Sequence, residues 1–199
     1  DDASLARIGP WPWPREVMTD LTNRLDAQGV GLKLFDVVFP DARSGNAALS
    51  AALAARDSEA PSVLAQVFAL RNESQLRSGT LAGAVPGAGC QAPAMPAQGY
   101  LANAPGLHPR AGHITPSLDA ERRLPGFVCF EDRIYPSLTL AGLAALASPG
   151  RPVLPVPGAG PWQAAWQLAL PGLAARPIAM DAQGQMRVPY ALSRQALTS

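Results

Sequence analysis

Two tryptophans, three prolines and an arginine fall within Pro10-Trp11-Pro12-Trp13-Pro14-Arg15. Indole rings carried on proline-restricted backbone lose little entropy on binding. Trp11 and Trp13 are therefore suited to cradling a sugar or an aromatic ligand, with the Arg15 guanidinium beside them. Packing of both rings against the domain is the competing reading. Asp36 interrupts a near-continuous apolar run from Val30 to Phe39. A carboxylate there requires a partner or a water-filled mouth. Together with Asp1 or Asp2 it would form an acidic pocket at strand ends, where open α/β sheets bind ligands. His113, beside Gly112, is placed either to line a pocket or to serve as a satisfied structural histidine. Trp13, Arg15, Asp36 and His113 are thus the candidate ligand-binding residues.

No catalytic residues are assigned. No GxSxG elbow surrounds any serine, and Cys129 lies in an apolar stretch without an activating neighbour. Gly87-Ala88-Gly89 and Gly158-Ala159-Gly160 match neither a phosphate loop nor a dinucleotide fingerprint, so both read as turns. His108 and His113 are too isolated to form a metal site, and Cys90 and Cys129 form no CxxC. No metal and no cofactor is expected. Arg122-Arg123 offers an anion site, but a strand edge pairing with local acids is the favoured reading. A formal net charge of +1, with Lys33 the sole lysine, argues against a nucleic-acid partner.

The elements that must position these residues follow from turn signals and periodicity. The three prolines predict a stiff extended arm as far as Pro14, which starts a helix. That helix runs to about Gln28, with Val17, Leu21 and Leu25 on its apolar face beside Met18, and Gly29 as its C-terminal stop. Val30 to Phe39 reads as a strand covered on both faces. Asn46 caps a helix to about Arg56, and Ser62 to Leu70 is a second buried strand, which gives a βαβ crossover. Ser78 to Pro109, rich in glycine, alanine and proline and without formal charge, reads as a long loop draped over the domain. Short strands follow at Gly112 to Thr115, after a turn at Leu118 to Ala120 from Arg122 to Phe130, and, beyond a Glu131-Asp132 turn, at Ile134-Tyr135. A helix starts at Pro136 and stops at Ser148-Pro149-Gly150. Val153 to Val156 is a short run. A helix from Pro161 to Leu170 is expected to stack Trp162 on Trp166, and a hairpin-like pair closes the chain around Asp181 to Gly184. The sum is an α/β fold: a mixed, largely parallel central sheet with flanking helices and the long Gly/Ala/Pro-rich loop. At 199 residues, 48% of them hydrophobic, residues 1–199 read as a single domain.

The apolar run Leu138 to Ala147 is far short of the roughly 20 residues a membrane span needs. The uncharged stretch from Pro152 to Ala175 is broken by Pro155, Pro157, Pro161 and Pro171, so the chain as it stands is expected to be soluble. Cys90 and Cys129 would be two buried thiols in a reducing compartment or one bridge in an oxidising one. The bridge would close a loop of about forty residues, worth roughly 4 kcal/mol of chain entropy. It would also tether the long loop.

The opening Asp1-Asp2-Ala3-Ser4-Leu5, followed by Ile8-Gly9-Pro10-Trp11-Pro12-Trp13-Pro14-Arg15, resembles that of the second class of CHASE domains. The likeness continues through Leu32-Lys33-Leu34-Phe35-Asp36-Val37-Val38-Phe39. It returns at Ala111-Gly112-His113-Ile114, Arg122-Arg123-Leu124-Pro125 and Tyr135-Pro136-Ser137-Leu138. Asn46 stands where that family often carries an aspartate, and Asp119-Ala120-Glu121 shortens the family's turn before the paired arginines. The family also usually has a strand before the Asp-Asp pair and a continuation near the carboxyl end, so the chain resembles an excised sensor region. The resemblance implies an extracytoplasmic sensory domain of a bacterial membrane-anchored receptor, with a cyclase, kinase or phosphodiesterase output in the cytoplasm. It implies no particular ligand; a small molecule or a protein is the expected signal. An exported location favours the Cys90–Cys129 bridge. The rival readings are a periplasmic small-molecule-binding module, an α/β enzyme, or an interaction module whose tryptophan arm docks a partner or a second copy as a homodimer. Within the arm, Arg15 is expected to pair with a carboxylate of Asp1 or Asp2.

Overall fold

A computed structural model describes residues 2–71, 76–91, 93–107, 110–116, 123–147, 153–160, 163–170 and 176–187. The chain begins with α1 (Asp2–Ile8) and α2 (Arg15–Ala27), then β1 (Lys33–Phe35), α3 (Asn46–Ala54) and β2 (Ser62–Ala69). Next come β3 (Arg77–Ser78), β4 (Met95–Pro96), β5 (Gly99–Leu101) and β6 (Ala111–His113). They are followed by β7 (Arg123–Pro125), β8 (Phe127–Phe130), β9 (Arg133–Pro136) and α4 (Leu138–Ala147). The described chain closes with β10 (Val156–Pro157), β11 (Trp166–Leu168), β12 (Ile178–Met180) and β13 (Gln185–Arg187).

The expected crossover forms: β1 and β2 pair in parallel, Lys33 opposite Ser62, with α3 between them in the chain. β2 also pairs in parallel with β6 and antiparallel with β5. α3 places Leu49 and Leu53 in a buried cluster with Met18, Phe35, Phe39, Leu64 and Leu107, against which Trp13 packs. The neighbouring β2 residues, Val63 and Ala65, face the other way and meet Leu138 at the start of α4. Alternation along one strand thus supplies both helical layers with core. α4 comes close to β6 because position 112 is glycine: a Cβ there would lie 2.5 Å from the Leu138 Cα and 2.8 Å from the Ser137 carbonyl oxygen. The backbone of α4 rests directly on that of β6.

β8 and β9 form a two-residue hairpin in which Phe130 faces Arg133. Glu131 (φ 47) and Asp132 (φ 58) both take the left-handed conformation that such a turn requires. The smaller sheets are β4-β8-β9, β10-β11-β12 and β13-β7. They enclose a cluster of Phe127, Ile134, Leu140, Leu168 and Met180.

Several expectations are corrected. The architecture is mixed α/β: the five-stranded sheet joins β1–β2, β2–β6 and β3–β5 in parallel and β2–β5 antiparallel, and among the described residues three smaller sheets accompany it. The stretch from Ser78 to Pro109 is more than a draped loop: it carries β4 and β5, and β5 joins the central sheet between β2 and β3. The strand expected over Val30 to Phe39 shortens to β1, whose Lys33 and Phe35 are buried while Leu34 is 41% exposed. Among the described residues β1 pairs with β2 alone, so no second ladder extends it. The buried face of α2 is Arg15, Met18 and Thr22, not the Val17–Leu21–Leu25 stripe. The helix expected at Pro161 to Leu170 is instead β11, paired on both sides, with Leu168 and Leu170 buried at strand spacing. Trp162 lies outside the described residues, so the Trp162–Trp166 stack does too. The Asp181–Gly184 turn forms, but its flanking strands take separate partners, β12 with β11 and β13 with β7. The turns expected at Leu118 to Ala120 and Ser148 to Gly150, with His108 and Arg122, also lie outside the described residues.

Candidate functional site

The tryptophan arm is bent at residues 10–12 instead of extended. The Trp13 Nε1–H donates to the Gly9 carbonyl at 2.9 Å, which folds the arm back on itself. The two indoles meet edge to face, 5.4 Å between centroids. Trp13 packs against the first core cluster, whereas Trp11 is 49% exposed. Arg15 opens α2 and is turned inward, only 4% exposed. Its Nε donates to Asn46 Oδ1 at 2.8 Å and its Nη2 to the Asp41 carbonyl at 3.2 Å. The guanidinium carbon sits 4.4 Å from the centre of the Phe39 ring, a cation–π contact. Burial pushes the Arg15 pKa down and the nearby Arg43 charge adds to this, while Asp41 and Glu16 pull the other way. The group remains a cation.

This arrangement replaces two expectations. Arg15 spends its donors on Asn46 and the Asp41 backbone, not on Asp2, which is exposed on α1; Asp1 lies outside the described residues. Asn46 is not the cap of α3: Gly45 holds the capping position, and the Asn46 amide reaches back to Arg15 instead.

Asp36 is exposed just past the C-terminal end of β1. His113 lies on the far side of β2, 2% exposed, with its ring edge-on to Phe68 at 6.2 Å. Neither ring nitrogen has a hydrogen-bond partner among the described residues. Burial lowers its pKa to about 3; the Gly126 backbone is near enough to oppose this weakly but not to satisfy a nitrogen. Its partner across the ladder is Gln66, fully buried, whose side-chain amide donates to the Ala82 carbonyl at 3.0 Å. The structure thus brings Trp13 and Arg15 together on one core cluster. No hydrogen bond or ion pair among the described residues joins Asp36 or His113 to them.

A groove of about 470 Å³ opens elsewhere, between residues 84–89 and the pair Asp132 and Arg133. One wall is the Ala84-Val85-Pro86-Gly87-Ala88-Gly89 backbone. Its turn is closed by the Ala88 N–H donating to the Val85 carbonyl at 3.3 Å, with Gly87 at φ +71. Proline followed by a left-handed glycine is the sequence such a turn requires. The other wall is the β8–β9 hairpin tip. Three links hold the walls in place: Val85 N–H to the Ile134 carbonyl at 2.9 Å, Cys90 N–H to Asp132 Oδ1 at 3.3 Å, and the Cys90–Cys129 disulfide. The Gly87 and Gly89 N–H groups have no acceptor among the described residues. The groove thus has glycine backbone on one wall and a carboxylate on the other. Among the described residues no set of His, Cys, Asp and Glu side chains is placed to hold a metal.

Both turns are legible in the sequence, but the groove between them is not. The signal that finds it is the bridge, since Cys90 follows Gly89 directly and Cys129 lies three residues before Asp132. Arg123 behaves as expected of a strand edge: its Nη1 donates to Asp181 Oδ2 at 3.0 Å. No described helix is long and apolar enough to cross a membrane.

A family model described as "CHASE2 domain" matches residues 1–198. No curated protein and no solved structure matches the chain significantly.

Proposed function

Because the chain belongs to the CHASE2 domain family, a family of extracellular sensory domains, we propose that it is the input domain of a membrane-anchored bacterial receptor. In this reading it stands on the periplasmic or extracellular face of the inner membrane and controls a cyclase, kinase or phosphodiesterase in the cytoplasm. The observation that carries the reading is the family match over residues 1–198. The Cys90–Cys129 bridge supports the exported location, since such bonds persist in oxidising compartments.

A signal can act here only by its differential affinity for two arrangements of the domain. β9 offers a route for such a bias. It starts at the groove, and the next residue, Ser137, bridges to His113 of the central sheet; α4 follows at once. Trp13 and Arg15 serve in this reading to fix the first crossover, through the contacts to Phe39 and Asn46. The test is the full-length receptor with this domain intact or deleted. Deletion is expected to uncouple the output from external conditions, and an output that responds unchanged would overturn the proposal. The half-exposed Trp11, with Leu5 and Ile8 also exposed, favours a second reading as a protein-interaction module without signalling output. Concentration-dependent self-association of the isolated chain would support it.

A further inference from the structure

The groove between residues 84–89 and the β8–β9 hairpin combines features that narrow what it can hold. Its size falls within the range of small-molecule sites, about 300–1,000 Å³. The 84–89 wall presents no side chain larger than valine or proline, so backbone amides are open to a ligand. Gly87 and Gly89 supply two N–H groups without acceptors among the described residues, around a left-handed turn. Successive amides in such a turn form a concavity suited to an anionic oxygen.

The opposite wall bears the reverse charge. Asp132 is exposed, and among the described residues only its Oδ1 is engaged, by the Cys90 N–H. Its carboxylate makes no ion pair among the described residues. Arg133, which also lines the groove, makes no ion pair with it among the described residues. Strand alternation puts the Arg133 side chain on the same face as Tyr135, where its charge lowers the tyrosine pKa against the burial that raises it. Ala84, Val85 and Ala88 also line it while packing against the buried clusters, which makes this wall apolar.

We propose that this groove binds a free α-amino acid with a small apolar side chain. The ligand's ammonium meets Asp132, its carboxylate meets the Gly87 and Gly89 amides, and its side chain lies against Ala84, Val85 and Ala88. This assignment rests on the sensory reading above and names the class of signal. The disulfide contributes pre-organisation: with both walls fixed, little ordering entropy is lost on binding.

The informative variant is Asp132→Asn. Position 132 needs a residue that tolerates φ 58, and asparagine does so readily. The amide oxygen still accepts from the Cys90 N–H, so only the charge is removed. The measurement is a titration of the isotope-labelled, oxidised chain with L-alanine or L-valine, followed by amide NMR. Saturable shifts centred on Gly87, Gly89 and Asp132 are expected. Asp132→Asn should weaken binding by roughly tenfold or more at an unchanged melting temperature. Propionate, which lacks the ammonium, and ethylamine, which lacks the carboxylate, should each bind more weakly than the amino acid. No saturable shift at these residues, or an affinity that Asp132→Asn leaves intact, overturns the assignment. If amino acids fail to bind yet deletion of the domain alters receptor output, the groove assignment falls and the input role stands. If binding and its loss in Asp132→Asn are seen while output ignores the domain, the input role falls and the groove assignment stands.

Discussion

The loop after β1 and the loop before β4 are both pinned to a sheet, by different means. Phe39 is fixed by reaching side chains. Arg15 stacks on its ring, and its N–H donates to Asn103 Oδ1 at 2.8 Å; the Asn103 amide in turn donates to the Ala65 carbonyl at 2.9 Å. Residues 84–90 have no such side chains. They are fixed by one backbone bond, one aspartate and a covalent bridge, with Ala84, Val85 and Ala88 half-buried against neighbouring clusters. The first loop is therefore held by burial, and its stability is shared with α2, α3 and the central sheet. The second is held at a few points and leaves its backbone open, which suits a segment that contacts a ligand.

The sharpest test of this contrast is reduction. Breaking a bridge with a sequence separation of 39 is expected to cost about 4 kcal/mol on the chain-entropy account. Hydrogen exchange should then speed up at Val85 and Cys90 while the Phe39 amide stays protected. Equal loss at Phe39 would show the two loops to be one cooperative unit. Unreduced, denatured protein should carry no thiol that can be labelled at Cys90 or Cys129.

Next in size is Leu53→Ala, which removes a fully buried side chain from the first cluster and should cost about 3 kcal/mol in urea unfolding. Leu53 and the bridge belong to different clusters, so the two losses should add. Marked non-additivity would break the comparison.

Acid probes the element between the two regions. His113 stays neutral in the folded state down to about pH 3, whereas the unfolded chain takes up its proton near pH 6.5. Its contribution is fully present above that pH. It declines by about 1.4 kcal/mol per pH unit as the pH falls, or roughly 2 kcal/mol by pH 5. His113→Gln should flatten this slope in unfolding curves, and an unchanged slope would show that other groups set it. The smallest effect expected is Asn46→Ala, about 1 kcal/mol, from loss of the acceptor for Arg15 Nε. Asn46→Asp should preserve or exceed the wild-type stability, because the bond becomes charge-assisted.

What could be read from the sequence was local. Turn chemistry marked Gly29, Glu131-Asp132 and Asp181–Gly184, and apolar periodicity marked β2, α3 and α4. Failures came where a distant partner decided the outcome. Arg15 is a charge on the buried face of α2 because Phe39 and Asn46 receive it, so an apolar stripe alone misplaced that face. Residues 166–168 pair with β10 and β12, which overrode a tryptophan spacing that suited a helix. The groove was hidden for the same reason: its two walls are more than forty residues apart and are joined by the bridge and two long-range hydrogen bonds.

The close seating of α4 on Gly112 has a mechanical consequence. A side chain between two elements acts as a spring, since it can change rotamer and absorb part of a displacement. Where α4 meets β6 that spring is missing, as the Leu138 and Ser137 backbone occupies the space a Cβ would need. A shift of the first turn of α4 must then carry β6 with it at nearly full amplitude, like a rigid key in a slot. Any larger residue at position 112 would force the two apart and loosen that coupling.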